Sequence, residues 1–113
     1  MHSFDRKTFI QAVYDVVMCI PYGRATSYGA IAKAIGHPNR SRMVGRAMKA
    51  CEKYTEKLPA HRVVNSQGIL SGKDGFNLPD QMQHLLESEN IRIENNRIKN
   101  WKQVFWDPII ELF

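Results

Sequence analysis

Apolar positions near the start of the chain recur at helical spacing. Phe9, Val13, Val16, Val17 and Ile20 fall on one face, behind an Asp5 or Ser3 suited to cap the helix. Pro21-Tyr22-Gly23 stops it. A short second helix follows, capped by Thr26 or Ser27, with Tyr28 in its first turn and Ile31, Ala32 and Ile35 as its apolar members. Gly36 supplies the left-handed residue that ends it. Asn39 is placed to cap a third helix running to about Lys53. Its two faces separate: Val44, Ala47, Met48 and Cys51 lie on one side, while Arg42, Arg46, Lys49 and Lys53, spaced by four, three and four, lie on another. Two short helices joined by a tight glycine-containing turn, the second one basic, form a helix-turn-helix pattern.

Periodicity then weakens. Glu52 to Lys57 is a polar connector, and His61 to Val64 reads as a strand. Asn65-Ser66-Gln67-Gly68 is a turn, Ile69-Leu70 a candidate short strand, and Ser71-Gly72-Lys73-Asp74-Gly75 a flexible loop. Asn77 and Pro79 mark the start of a helix with Leu78, Met82, Leu85 and Leu86 apolar, ending near Glu89-Asn90. Ile91 to Lys99, broken at Asn95-Asn96, reads as a small hairpin. The aromatic and apolar tail, from Trp101 through Trp106 to Phe113, is expected to pack back on the body.

Composition sharpens this only in part. The chain has 113 residues, enough for one domain with a modest core, and 16 Lys+Arg against 11 Asp+Glu give a net charge of +5. That balance suits a polyanionic partner such as nucleic acid, although basic domains of this size are often simply basic. No run reaches the roughly 18 apolar residues of a membrane span, and the first residues lack the order of a signal peptide, so a cytosolic setting is the default. Cys19 and Cys51 fall in helices without metal-ligand spacing and read as reduced thiols.

Candidate chemistry centres on Pro59-Ala60-His61-Arg62-Val63-Val64. A cysteine or serine beside His61 would match an activated nucleophile, but Ala60 offers no lone pair. His61 alone reads first as a hydrogen-bonded structural histidine, and Glu89 as a surface carboxylate at a helix end. On its own, the arginine and lysine stripe of the third helix reads first as a solvated face. No paired acids, His-Glu-x-x-His or phosphate-binding glycine loop is present.

Several motifs in fixed order nevertheless carry a resemblance. They are Tyr14 to Val17, Ile20-Pro21-x-Gly23-x-x-Thr26-Ser27-Tyr28-Gly29-x-Ile31-Ala32, Gly36-x-Pro38 to Arg42-x-Val44-Gly45-x-Ala47-Met48, Pro59-x-His61-Arg62-Val63-Val64, and Leu85-Leu86-x-x-Glu89. Together they are similar to the DNA-binding domain of the O6-alkylguanine-DNA alkyltransferases. That family has cysteine where this chain has Ala60. The missing cysteine, the short chain and Trp106-Asp107-Pro108 in the tail resemble the alkyltransferase-like proteins, which bind alkylated guanine without repairing it.

The resemblance implies one domain over residues 1–113, mainly α with a small β component and winged helix-turn-helix-like. It implies DNA contacts from Tyr28, Ser41, Arg42, Gly45, Arg46 and Lys49. Tyr28 would press on the backbone of the damaged nucleotide, and Arg42 would fill the space left by the flipped base, where a planar guanidinium stacks and donates. Gly45 and Ala47 would let the helix approach the minor groove. The lesion pocket would draw on Pro59, Ala60, His61, Arg62, Val63, Val64, Ser71, Gly72 and Lys73, within a loop reaching Phe76. No catalytic residue, metal or cofactor is expected. With the nucleophile gone, His61 and Glu89 would keep structural duty only.

The implied partners are duplex DNA containing O6-alkylguanine and nucleotide excision repair proteins, with a monomer in the cytoplasm, on the nucleoid when bound, or in the nucleus of a eukaryote. Departures from the family pattern are Cys51 or Glu52 where a hinge asparagine is usual, Arg46 in place of a small residue, and Ala60 where many alkyltransferase-like members have tryptophan. Two rivals remain at this point: a true alkyltransferase using Cys51 or Cys19, and a sequence-specific helix-turn-helix regulator.

Overall fold

Asp5 shows how closely the first helix follows its local signals. In the computed structural model, which describes residues 4–51 and 58–112, its carboxylate accepts from the Lys7 and Thr8 backbone N–H groups at 3.0 and 3.4 Å. It thereby satisfies donors that the helix itself leaves open. Helix α1 (Arg6–Met18) buries Phe9, Val13, Val16 and Val17, and Ile20 continues the same apolar face beyond it. Gly23, with φ +80°, completes the turn that ends this segment.

The chain then enters a strand absent from the sequence-based reading. β1 (Thr26–Ser27) pairs in parallel with β2 (Val63–Val64), in the register Thr26↔Val63 and Ser27↔Val64. Two-residue strands have no alternation to detect, so the pairing is legible only in three dimensions. Ser27 is also the cap of α2 (Tyr28–Ala34): its Oγ accepts from the Ala30 N–H at 3.1 Å. Gly36 ends the segment with φ +84°.

Helix α3 (Ser41–Ala50) begins later than expected, with Arg40 and not Asn39 at its cap position. The Arg40 carbonyl accepts from the Met43 and Val44 N–H groups, while its guanidinium stacks over the Phe4 ring 4.0 Å from the centroid. Val44, Ala47, Met48 and Cys51 are buried as the periodicity predicts. Ala47 therefore faces the core, its carbonyl accepting from the Tyr14 hydroxyl, and is not available to thin the outer face of α3. The expected extension to Lys53, the Glu52 to Lys57 connector, a Ser3 cap and Phe113 fall outside the described residues.

His61 and Arg62 are not in a strand. Residues Ala60–Arg62 form a 3₁₀ turn, closed by the Arg62 N–H on the Pro59 carbonyl, and only Val63–Val64 are extended. In a strand, neighbouring side chains would point to opposite faces. The turn lets His61 and Arg62 both reach one acceptor, described below. The presumed flexible loop is also ordered by a 3₁₀ turn at Lys73–Gly75, with the Gly75 N–H on Gly72 and the Phe76 N–H on Lys73.

Helix α4 (Gln81–Ser88) starts after Asp80, beyond the signal at Asn77 and Pro79; it buries Met82 and Leu86 and leaves Leu78 exposed. The hairpin is as expected: β3 (Ile93–Glu94) pairs antiparallel with β4 (Arg97–Ile98) across Asn95 and Asn96, both with positive φ. In the tail, α5 (Trp101–Val104) and α6 (Pro108–Glu111) flank a buried Trp106. Arg24 anchors this segment, donating to the Val104 and Phe105 carbonyls and pairing with Glu111 at 2.8 Å. Ile109 and Ile110 remain exposed, so the tail packs through Trp106 and Pro108 and not along its whole apolar length.

The fold is thus mainly α with a small β component. One core joins α1, α2, α3, Val63 and Trp106; a second joins Ala25, Val64, Leu70, Met82, Leu86, Ile91 and Ile98. The adjacent strand residues Val63 and Val64 each enter a different core, which places β2 between them. Among the described residues no helix is long and apolar enough to cross a membrane.

Gly68 combines two demands at one position. Its φ is +79°, and an added Cβ would lie 3.0 Å from Trp101 Cδ2. Gly68→Ala is expected to destabilise the protein by about 1–3 kcal/mol, read by urea unfolding. A loss under about 0.5 kcal/mol, typical of a neutral surface change, would contradict that account.

Candidate nucleic-acid interface

The outer face of α3 carries Arg42, Arg46 and Lys49, all exposed, with Gly45 partly exposed between them. Ser41 stands at the first position of this helix. The amphipathic split read from the sequence therefore holds in space. Packing spends Val44, Ala47 and Met48 on the core, and the cations are left facing solvent.

Beside this face lies a cavity of about 480 Å³. Arg42, Gly45, Arg46, Met48 and Lys49 form its α3 side, and Tyr28 enters from the start of α2. Ala60 and Val63 contribute the floor strand and its preceding turn; Ser71, Gly72, Asp74, Gly75 and Phe76 form the opposite loop, with Met82 of α4 behind. A size of this order is that of small-molecule sites.

The fold thus brings together Tyr28, Arg42, Gly45, Arg46 and Lys49 with Ala60, Val63, Ser71 and Gly72. Ser41, Pro59, His61, Arg62, Val64 and Lys73 lie outside the lining. Val64 is consumed by the second core, and Pro59 leads into the 3₁₀ turn. Met48 and Met82 were read only as apolar helix positions, yet each also reaches the cavity wall. A long, unbranched side chain at the edge of an apolar face was the signal available.

His61 and Arg62 turn away from the cavity to Glu89, which is buried and not a surface carboxylate. Its oxygens meet His61 Nε2 at 2.6 Å, Arg62 Nε at 3.0 Å, Arg62 Nη2 at 2.9 Å and the Gly23 N–H at 2.8 Å. Arg62 Nη1 also donates to the Ile20 carbonyl at 2.8 Å. Burial alone would raise the Glu89 pKa, but the donors from Arg62, His61 and Gly23 outweigh it and hold the carboxyl below its usual range. Burial lowers the pKa of His61 despite its carboxylate partner, with Arg62 acting in the same sense. The neutral imidazole donates from Nε2 to Glu89.

Among the described residues the hydroxyls lining the cavity are those of Tyr28 and Ser71. Burial pushes the Tyr28 phenol up, a hydrogen bond with Ser71 opposes the shift, and Cys51 adds to the rise. No thiol lines the cavity: Cys51 is buried, its Sγ–H donating to the Met48 carbonyl, and Cys19 is exposed at the end of α1. The position next to His61 holds only the Ala60 methyl.

A capped helix, a glycine turn and a second helix with a cationic outer face define a helix-turn-helix domain of the DNA-binding class. The chain matches the model of the 6-O-methylguanine DNA methyltransferase DNA-binding domain over residues 8–91, and it belongs to that family. Alkyltransferase-like protein 1 of Schizosaccharomyces pombe is 36% identical over 104 residues, covering 88% of this chain and 95% of that one. A DNA base-flipping protein of Vibrio parahaemolyticus is 36% identical over 100 residues, covering 88% and 97%. The crystal structure of S. pombe Atl1 in complex with damaged DNA containing O6-carboxymethylguanine superposes with a TM-score of 0.78 at 36% identity, covering 96% of this chain and 100% of that one. An O6-methylguanine methyltransferase of Mycobacterium tuberculosis gives 0.58 at 33% identity, and this chain spans 53% of its length.

The Glu89 cluster makes stability depend on pH in a fixed direction. A carboxyl held low stabilises above its unfolded pKa and ceases to do so as pH falls through the lowered value. A histidine held low stabilises the fold above about pH 6.5, and that contribution declines below it. Both effects therefore weaken the protein in acid. Urea unfolding at neutral pH and near pH 5.5 is expected to show this decline, with His61→Gln flattening it. Glu89→Gln is expected to cost about 3–5 kcal/mol at neutral pH, because Arg62 loses its buried counter-charge. A His61→Gln protein with an unchanged pH slope would contradict the assignment.

Proposed function

We propose that this protein is a non-enzymatic sensor of DNA alkylation, which flips O6-alkylguanine out of duplex DNA from the minor-groove side and holds it in the cavity beside α3. The observation that carries this reading is Ala60 in the cavity lining, next to a histidine–carboxylate pair and with no thiol on any wall. Alkyl transfer needs an activated nucleophile to receive the group, and the position beside His61, where such a group would stand, carries only the Ala60 methyl. What it retains is binding equipment: a cationic helix, an inserted tyrosine and a partly apolar chamber.

In this reading Ser41, Arg42, Arg46 and Lys49 engage the duplex, and Tyr28 rotates the damaged nucleotide. Arg42 takes the vacated place in the stack. Flipping costs a few kcal/mol and less for a base whose pairing an O6 substituent has already spoiled, so the lesion contributes to its own selection. Small residues at Gly45 and Ala60 leave space for backbone and alkyl group respectively. The protein acts as a monomer, and the persistent complex is the signal that nucleotide excision repair proteins receive.

Binding of an O6-methylguanine duplex and its unmodified counterpart, compared at one salt concentration, tests the reading. Tighter binding of the modified duplex is expected; equal affinities would refute it. Arg42→Ala is expected to reduce the preference for damage by about tenfold, as for the loss of a specific contact worth 1–3 kcal/mol. An equal loss for both duplexes would reduce Arg42 to an electrostatic contact. A footprint that follows base sequence and ignores alkylation would favour a regulator instead.

A further inference from the structure

Tyr28 touches both walls of the cavity. A Cβ added at Gly45 would lie 4.0 Å from Tyr28 Cδ1, an ordinary van der Waals contact with α3. A Cβ added at Gly72 would lie 2.7 Å from the Tyr28 hydroxyl, closer than side chains tolerate. The loop backbone at Gly72 therefore sits directly against the phenol oxygen.

Backbone conformation does not require glycine at this position. Gly72 has φ −93° and ψ 9°, a turn conformation open to other residues. Space requires it. Gly75, in the same turn, makes the contrast: no atom of the described residues lies within 4 Å of its Cβ position. One glycine of the loop thus serves a close approach, and its neighbour does not.

The loop has little freedom to retreat. Before it, the Leu70 N–H is bonded to the Asn96 carbonyl at 3.0 Å; within it, the Gly75 and Phe76 N–H groups close the 3₁₀ turn; after it, Phe76 packs on the second core. The Tyr28 hydroxyl, at the far end of a side chain, is the group that yields when a side chain is introduced at position 72.

We propose that Gly72 is a positioning residue that determines lesion specificity: by carrying no side chain, it lets the pocket loop seat on Tyr28, so that the tyrosine facing the duplex and the loop receiving the base act as one unit. This deepens the lesion-sensor reading and rests on it. A methyl at position 72 displaces the Tyr28 hydroxyl while leaving Arg42, Arg46 and Lys49 in place. Undamaged DNA is then bound as before, and the preference for damage is lost.

The test uses the full chain with Gly72→Ala, Gly75→Ala, Tyr28→Phe and the Tyr28→Phe/Gly72→Ala double variant. Each is measured on O6-methylguanine and unmodified duplexes at one salt concentration. Gly72→Ala is expected to lower the damaged-to-undamaged affinity ratio by about tenfold, with affinity for unmodified DNA within about twofold of wild type. Gly75→Ala, in the same cavity loop but clear of Tyr28, is expected to lower that ratio by less than Gly72→Ala does. Removing the Tyr28 hydroxyl should lower the ratio in the wild-type background and raise it in the Gly72→Ala background, since the clash is gone.

A wild-type ratio in Gly72→Ala, a parallel loss on both duplexes, or additive losses in the double variant would each overturn the proposal. Should the wild type itself show no preference for damage, the sensor reading fails first. NMR of the free protein then decides the coupling: Tyr28 ring resonances shift in Gly72→Ala and not in Gly75→Ala if the two residues form one unit, and stay unmoved in both if they do not.

Discussion

The Glu89 carboxylate is the point on which the site depends. It joins the turn after α1, through the Gly23 N–H, to the 3₁₀ turn bearing His61 and Arg62 and to the end of α4. Arg62 extends the link to the Ile20 carbonyl. A buried carboxylate left without these donors would be costly, so the donors and the acceptor fix one another. Ala60 and Val63 bracket the two residues clamped on Glu89, and their places in the cavity follow from that clamp. The His61–Glu89 pair fixes the turn that carries Ala60.

The second constraint is how β2 divides its residues. Val63 enters the core of the helix-turn-helix and Val64 the core built by α4 and the hairpin, while the parallel pairing with β1 holds both next to the start of α2. Tyr28 directly follows Ser27, which is at once a strand residue and a helix cap. The tyrosine at the cavity mouth is consequently fixed by two local structures that meet at one serine.

Much of this was legible in the amino-acid order. The apolar stripe of α1, the split faces of α3, the Asn95-Asn96 hairpin and the apolar role of Leu86 arise from short-range periodicity and turn chemistry, and they appear where expected. Signals failed where tertiary contacts overrode them. Asn39 lost the cap position to Arg40, whose side chain stacks on Phe4. His61-Arg62 formed a turn because both side chains are drawn to Glu89, 28 and 27 residues away respectively. The Ser71 to Gly75 segment looked mobile because its glycines and polar residues suit a loop, but Tyr28 and the hairpin hold it. Of the candidate site, the α3 cations, Tyr28, Ala60 and the loop were found together, and the two methionine walls were not.

On the proposed reading, an alanine where a nucleophile would stand separates recognition from chemistry. In that reading the cationic helix and the tyrosine open the duplex, and Ala60 receives no alkyl group. The most direct test is mass analysis of both partners after prolonged incubation of the protein with a stoichiometric O6-methylguanine duplex. The account predicts a protein of unaltered mass and a DNA strand that still carries its methyl group after the complex is dissociated. A methyl adduct on the protein, on Cys51, Cys19 or any other residue, together with restored guanine in the DNA, would contradict it.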